Sequence, residues 1–121
     1  MTSKTSSATT TSIVFFGTGD VSLKTLQDIH PTITVEAVIT KPDLMSSNGQ
    51  AVPPAVKAWA TQHGIVCHQP ANKAELAELF SHNNSSSRAG LVVDYGLIIP
   101  LDVIESFELG ILNSHFSTLP K

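Results

Sequence analysis

The sequence predicts an α/β fold, an open and mostly parallel sheet with helices on both faces. Three observations predict it. Short apolar runs recur along the chain without an alternating polar face, which is how strands buried on both sides read. Segments with helical apolar spacing separate them, so successive strands are joined by crossovers and not by tight hairpins. Breaks follow the runs at Gly17-Thr18-Gly19-Asp20, Lys41-Pro42-Asp43 and Asp94-Tyr95-Gly96. In such a sheet the crossovers are right-handed, and ligands sit beyond the carboxyl ends of the strands where strand order reverses.

Taken in order, Ser12 to Phe16 (SIVFF) is the first strand, stopped by Gly17. Asp20 or Ser22 caps the helix that follows. Its apolar positions are Val21, Leu23, Leu26 and Ile29, and it ends at His30-Pro31. Ile33 to Thr40 (ITVEAVIT) is the second strand, broken by Lys41-Pro42-Asp43. Residues 44–54 have no period and read as a loop. Pro54 opens a helix with Val56, Trp59 and Ala60 inward, capped after its end by Gly64. Ile65 to Cys67 is the third strand, and Lys73 to Phe80 a helix burying Leu76, Leu79 and Phe80. Residues 82–88 (HNNSSSR) form a polar loop, expected to be the most mobile internal segment. Leu91 to Val93 is the fourth strand, Pro100 to Phe107 a short helix, and Ile111 to Asn113 the fifth strand.

Composition bounds the function. A chain of 121 residues makes one domain with a moderate core. A net charge of −3 offers no basic field for nonspecific nucleic-acid binding. The single cysteine, Cys67, has no partner for an internal disulfide, which fits a reducing, cytoplasmic location. The apolar runs are too short to span a membrane. Residues 1–12 carry one lysine and no acid, and read as a disordered polar tail before a domain covering 13–121. His30, His63, His68 and His82 lack metal-ligand spacing, so no metal is expected. No nucleophile elbow, phosphate-binding P-loop or paired-cysteine zinc motif occurs.

Three constellations sit at the expected strand ends. Gly17-Thr18-Gly19-Asp20-Val21-Ser22 approaches a dinucleotide fingerprint, but Ser22 stands in place of the third glycine. Asp43 lies near the spacing of a ribose-binding acid, behind a proline. The favoured reading is a tight turn. Tyr95, Gly96, Leu97, Ile98 and Ile99 are apolar where a polar loop is usual. They either line a flat cleft for a planar heterocycle or pack an ordinary connection on the core. Asn113 and His115 are two apart, so an extended segment points both side chains to one face. An amide donor beside an imidazole suits a reaction in which a carbonyl oxygen gains charge while a proton moves. Losing such a donor costs about 3 kcal/mol of barrier. The plainer alternative is a polar pair satisfying backbone groups at a strand end.

Read together, FFGTGD, TKPD, PPAVKAWATQHGIVCHQP, VVDYGLIIP and LGILNSHFSTLP closely resemble the N-terminal part of the 10-formyltetrahydrofolate-dependent formyltransferases, over residues 13–121. The resemblance is strongest to the branch acting on methionyl-tRNA. It implies a Rossmann-like catalytic domain that is truncated here. It implies formyl transfer from 10-formyltetrahydrofolate to the α-amine of initiator methionyl-tRNA, without a metal. Asn113 and His115 match the catalytic Asn-x-His motif. Ser117, Thr118, Leu119 and Pro120 match a folate-binding segment, and Tyr95 to Pro100 the wall of the pteridine cleft. The family's downstream catalytic aspartate and its tRNA-gripping C-terminal domain lie beyond Lys121, so the chain alone is expected to turn over little. The uncovered edge after the fifth strand predicts marginal stability or self-association. The family's loop after Lys41-Pro42-Asp43 is basic, whereas Leu44 to Gln50 has no basic residue. That leaves two rivals: a formyltransferase acting on a nucleotide sugar or ribonucleotide amine, and a noncatalytic nucleotide- or folate-binding module. Gly19 stands where the family has proline, and Asp94 where it has a small apolar residue.

Overall fold

A computed structural model describes residues 12–81 and 87–114. Expectations placed on residues 1–11, 82–86 and 115–121 lie outside the described residues.

β1 (Ser12–Gly17) is buried at every residue after Ser12. Successive side chains of a strand point to opposite faces, so Ile13 and Phe15 leave one side of β1 and Val14 and Phe16 the other. A strand apolar on both sides needs cover on both, which places it mid-sheet. β2 (Thr34–Ile39) and β6 (Ala89–Val93) flank it, with β5 (Val66–His68) outside β2 and β7 (Ile111–Ser114) outside β6. All four pairings are parallel, and strand order reverses between β1 and β6.

Two clusters hold the helices on. On one face, α1 (Asp20–Ile29) contributes Leu26, and α2 (Ala55–Gln62) contributes Val56, Trp59 and Ala60. They pack on Ile13, Phe15, Val35, Val38 and Val93. On the other, Leu76 of α3 (Lys73–Ser81) and Val103 of α4 (Leu101–Glu105) join Val14, Phe16, Ile39, Val92, Tyr95 and Phe107. The expected Rossmann-like arrangement, helices on both faces of a parallel sheet, is therefore present.

Three details differ from the sequence reading. The register of β2 on β1 shifts between Ile13 and Val14, whose partners are Val35 and Ala37. Glu36 is the extra residue, and it returns Val38 to the face of Val35. Its carboxylate accepts a hydrogen bond from the Ser87 hydroxyl, and Ser87 also bonds Ser12 at 2.6 Å. The loop expected over 44–54 contains a small antiparallel ribbon, β3 (Leu44–Met45) against β4 (Ala51–Val52). Gly49, at φ +84°, makes the turn between them. Two-residue strands carry no readable period, and Leu44 and Met45 are each 70 % exposed. The final helix is also shorter than the expected Pro100 to Phe107. Among the described residues no helix is long and apolar enough to cross a membrane.

Candidate functional site at the carboxyl edge of the sheet

The loops after β1, β2 and β6 meet at the reversal of strand order. Gly17 ends β1 where α1 crosses closely. A methyl group there would lie 2.5 Å from Ser22 Oγ and 2.7 Å from the Phe15 ring, so only glycine fits. Ser22 is fully buried. Its hydroxyl accepts the Thr18 N–H at 3.0 Å and donates to the Val93 carbonyl. The Thr18 N–H also points at the Asp94 carbonyl, 3.1 Å away, and the Thr18 hydroxyl donates to the Tyr95 carbonyl at 2.7 Å. The two loops are thus joined to each other by internal bonds. A methyl on Gly19 would lie 3.0 Å from the Asp94 carboxylate. With Asp20 in the first turn of α1, two carboxylates flank that helix start and oppose a phosphate there. The glycines make a turn, as the favoured reading has it, and Ser22 occupies the place of the third glycine as a buried hydrogen-bonding post.

After β2, the Thr40 N–H donates to the His68 carbonyl at 2.9 Å. Gln69 then bridges the break with one amide group, donating to the Lys41 carbonyl at 3.2 Å and to the Asp43 carboxylate at 2.7 Å. Lys57 reaches the same carboxylate at 3.2 Å. The hydrogen bond from Gln69, aided by Lys57, holds the Asp43 carboxyl below the usual carboxylate range. Asp43 is therefore spent on pinning the loop. Next door, burial lowers the affinity of His68 for a proton and pushes the Cys67 thiol up, away from the reactive thiolate.

The Tyr95–Ile99 segment divides. Tyr95 is 2 % exposed and meets Phe16 edge-on at 5.7 Å. Leu97 and Ile99 pack on the same cluster, while Ile98 is 75 % exposed. Gly96 is open and at φ +103°. Gly96 and Ile98 are thus the exposed members of the segment, with the Lys41 side chain against Gly96. Nothing in the linear pattern marked Lys41, because its placement depends on strands that are not neighbours in sequence.

Burial pushes the Tyr95 hydroxyl up to about 12, and among the described residues it has no hydrogen-bond partner. An unfolded tyrosine ionises near about pH 10. The contribution of Tyr95 is therefore complete below that pH and is lost as the pH rises towards about 12. Tyr95 is the chain's one tyrosine, so phenolate absorbance reads it alone. We expect a midpoint near 12 for the folded chain. Tyr95→Phe is expected to abolish the alkaline loss and to stabilise the domain by about 1 kcal/mol. A midpoint near that of free tyrosine would show that the hydroxyl is solvated.

On β7, Asn113 is in register with Val92, which is in register with Phe16. Registered residues of parallel strands share a face, so Asn113 stands on the side of the sheet that holds the Phe16 and Tyr95 cluster. It is exposed and lies at the carboxyl edge. His115, Ser117, Thr118, Leu119 and Pro120 lie outside the described residues, so the meeting of Asn113 with His115 remains an expectation. Among the described residues no His, Cys, Asp and Glu group of three or more is placed to hold a metal ion.

No protein-family profile matches the chain. Among curated proteins it is similar to the methionyl-tRNA formyltransferase of Ectopseudomonas mendocina (strain ymp), 39 % identical over 120 residues, covering 90 % of this chain and 35 % of the relative. That of Dictyoglomus turgidum is 36 % identical over 111 residues, with 90 % and 35 % covered. That of Staphylococcus epidermidis is 34 % identical over 110 residues, with 90 % and 36 % covered. The chain spans about a third of the length of these relatives.

Proposed function

On the premise that this chain is similar to a methionyl-tRNA formyltransferase over 90 % of its own length, we propose that it forms the donor-binding part of such an enzyme. In this reading 10-formyltetrahydrofolate binds at the carboxyl edge of the sheet, beside the loops after β1, β2 and β6. The acceptor is the amine of initiator methionyl-tRNA. The observation that carries the reading is Asn113, an exposed amide at the carboxyl edge of the strand next to β6, on a chain of this similarity.

The chemistry follows from the residues. The neutral amine attacks the formyl carbon, and the carbonyl oxygen becomes an oxyanion. The Asn113 amide donates to that oxygen. His115 takes the proton released by the new C–N bond and returns it to the departing folate nitrogen. Ser117, Thr118, Leu119 and Pro120, with Gly96 and the exposed Ile98, hold the folate. Tyr95, Leu97 and Ile99 support that wall from behind. No metal is required by these steps. The remaining two thirds of the relatives' length supplies the rest of the enzyme, and the chain by itself turns over little. Its place is the cytoplasm, in keeping with a free Cys67.

A second reading has a specific observation in its favour. Leu44 and Met45 stand exposed on the β3–β4 ribbon, where a tRNA-contacting loop would want cations. An amine on a nucleotide sugar or a ribonucleotide fits that surface without them.

Isothermal titration separates the donor reading from a nucleotide-binding module. We expect 5-formyltetrahydrofolate, a stable analogue of the donor, to bind one to one and NAD to give no heat. Binding of NAD without binding of the folate would overturn the proposal. Offering each amine in turn to the chain fused to the complementary part of a relative decides the acceptor.

A further inference from the structure

We propose that Lys41 is an anion-binding residue at the carboxyl edge of the sheet, holding a carboxylate or phosphate of a small ligand. Lys41 leaves the end of β2 and Gly96 follows β6, with β1 lying between those strands. The lysine side chain crosses that gap. A methyl on Gly96 would lie 2.8 Å from Lys41 Cδ, 3.6 Å from Cε and 3.4 Å from Nζ. The aliphatic stem therefore rests on the Gly96 backbone, and the ammonium stands beside it at the carboxyl edge of the sheet. Gly96 suits this twice, having no side chain to block the stem and tolerating φ +103°.

The root of the side chain is fixed. Gln69 donates to the Lys41 carbonyl and to Asp43, Lys57 grips Asp43 from the other side, and Pro42 restricts the residue between. An ordinary surface lysine swings freely in water, whereas this one starts from a pinned backbone and lies across a neighbouring loop. The ion pairs formed among the described residues join Lys24 to Asp28, Lys57 to Asp43 and Arg88 to Glu108, and none engages Lys41. Asp94 and Asp20 flank the start of α1. Carboxylates thus stand by Gly19 and an ammonium over Gly96. An anionic group is repelled from the first and drawn to the second. The geometry alone carries the anion site. Only the assignment of the anion to the glutamate tail of a folate rests on the donor-binding reading.

The test follows backbone amide shifts of the isotope-labelled chain at constant ionic strength. Inorganic phosphate is expected to move the Lys41 and Gly96 amides, and chloride to leave them in place. Lys41→Met should abolish the phosphate response while Lys41→Arg retains it, with thermal melts showing both variants folded. Lys41→Met should also weaken pteroylglutamate about tenfold and leave 6-hydroxymethylpterin, which has no carboxylate, unchanged. A phosphate response that misses Gly96, or that persists in Lys41→Met, overturns the anion site. Equal loss for both pterins overturns the glutamate assignment. If neither pterin binds while the phosphate response stays Lys41-dependent, the donor-binding reading fails and the anion site stands.

Discussion

Replacing Phe16 by alanine is expected to remove about 3–5 kcal/mol of stability, a large share of the roughly 5–15 kcal/mol a domain possesses. Phe16 is fully buried in the central strand, with its ring 5.9 Å from Phe80, 5.7 Å from Tyr95 and 6.3 Å from Phe107. These rings come from α3, the loop after β6 and the segment after α4. Gly90 of β6 also approaches it, since a methyl there would lie 3.1 Å from the Phe16 ring. Neighbours anchored on four separate elements cannot all move in to fill the space, so the cavity persists and its cost is added to the lost burial. Phe16→Leu keeps most of the volume and should cost less than about 2 kcal/mol. Urea unfolding followed through Trp59, which sits in the cluster on the other face, gives both values. A loss under 1 kcal/mol for alanine would mean that this face of the sheet is not held by its aromatic cluster.

The same strand shows why the fold was legible. Ile13 to Phe16 is apolar on both faces, and only a mid-sheet position satisfies that pattern. The helix starts were readable because Pro54 and Pro100 stand immediately before α2 and α4. What escaped depends on relations across the chain. Glu36 reads as one more strand residue, and only its pairing with β1 reveals the extra residue. The β3–β4 ribbon is too short to have a period. Ser22 breaks the dinucleotide pattern in the linear sequence, but its bond to Val93 needs the crossing of α1 over β6. The composition of Tyr95–Ile99 suits a cleft wall and core packing equally; the structure packs Tyr95, Leu97 and Ile99 on the core and leaves Ile98 exposed. Tyr95, Leu97 and Ile99 are two apart and turn to the core, while Gly96 and Ile98 between them are exposed, the alternation of an extended segment. Leu112 of β7 is 69 % exposed on an outer strand of the described sheet.

Asn113→Ala is expected to lower kcat for formyl transfer by about 10²–10³-fold, the usual effect of deleting one oxyanion donor. The measurement uses the chain fused to the complementary two thirds of the Ectopseudomonas mendocina relative, with 10-formyltetrahydrofolate and methionyl-tRNA. The KM for the donor should change little, because the amide acts on charge that exists only after the amine attacks. Stability should change by less than about 0.5 kcal/mol, since Asn113 is exposed on the outermost strand of the described sheet. That pairing of a large kinetic effect with a small thermodynamic one is the discriminating result. A strand-end asparagine that merely satisfied backbone groups would show the reverse, a loss of stability with catalysis intact. Asn113→Asp sharpens the test, because it keeps the shape and replaces the donor by a carboxylate that repels the oxyanion. It should be at least as inactive as alanine at neutral pH. An aspartate variant as active as wild type would remove Asn113 from the chemistry and, with it, the strongest tie between this sheet edge and formyl transfer.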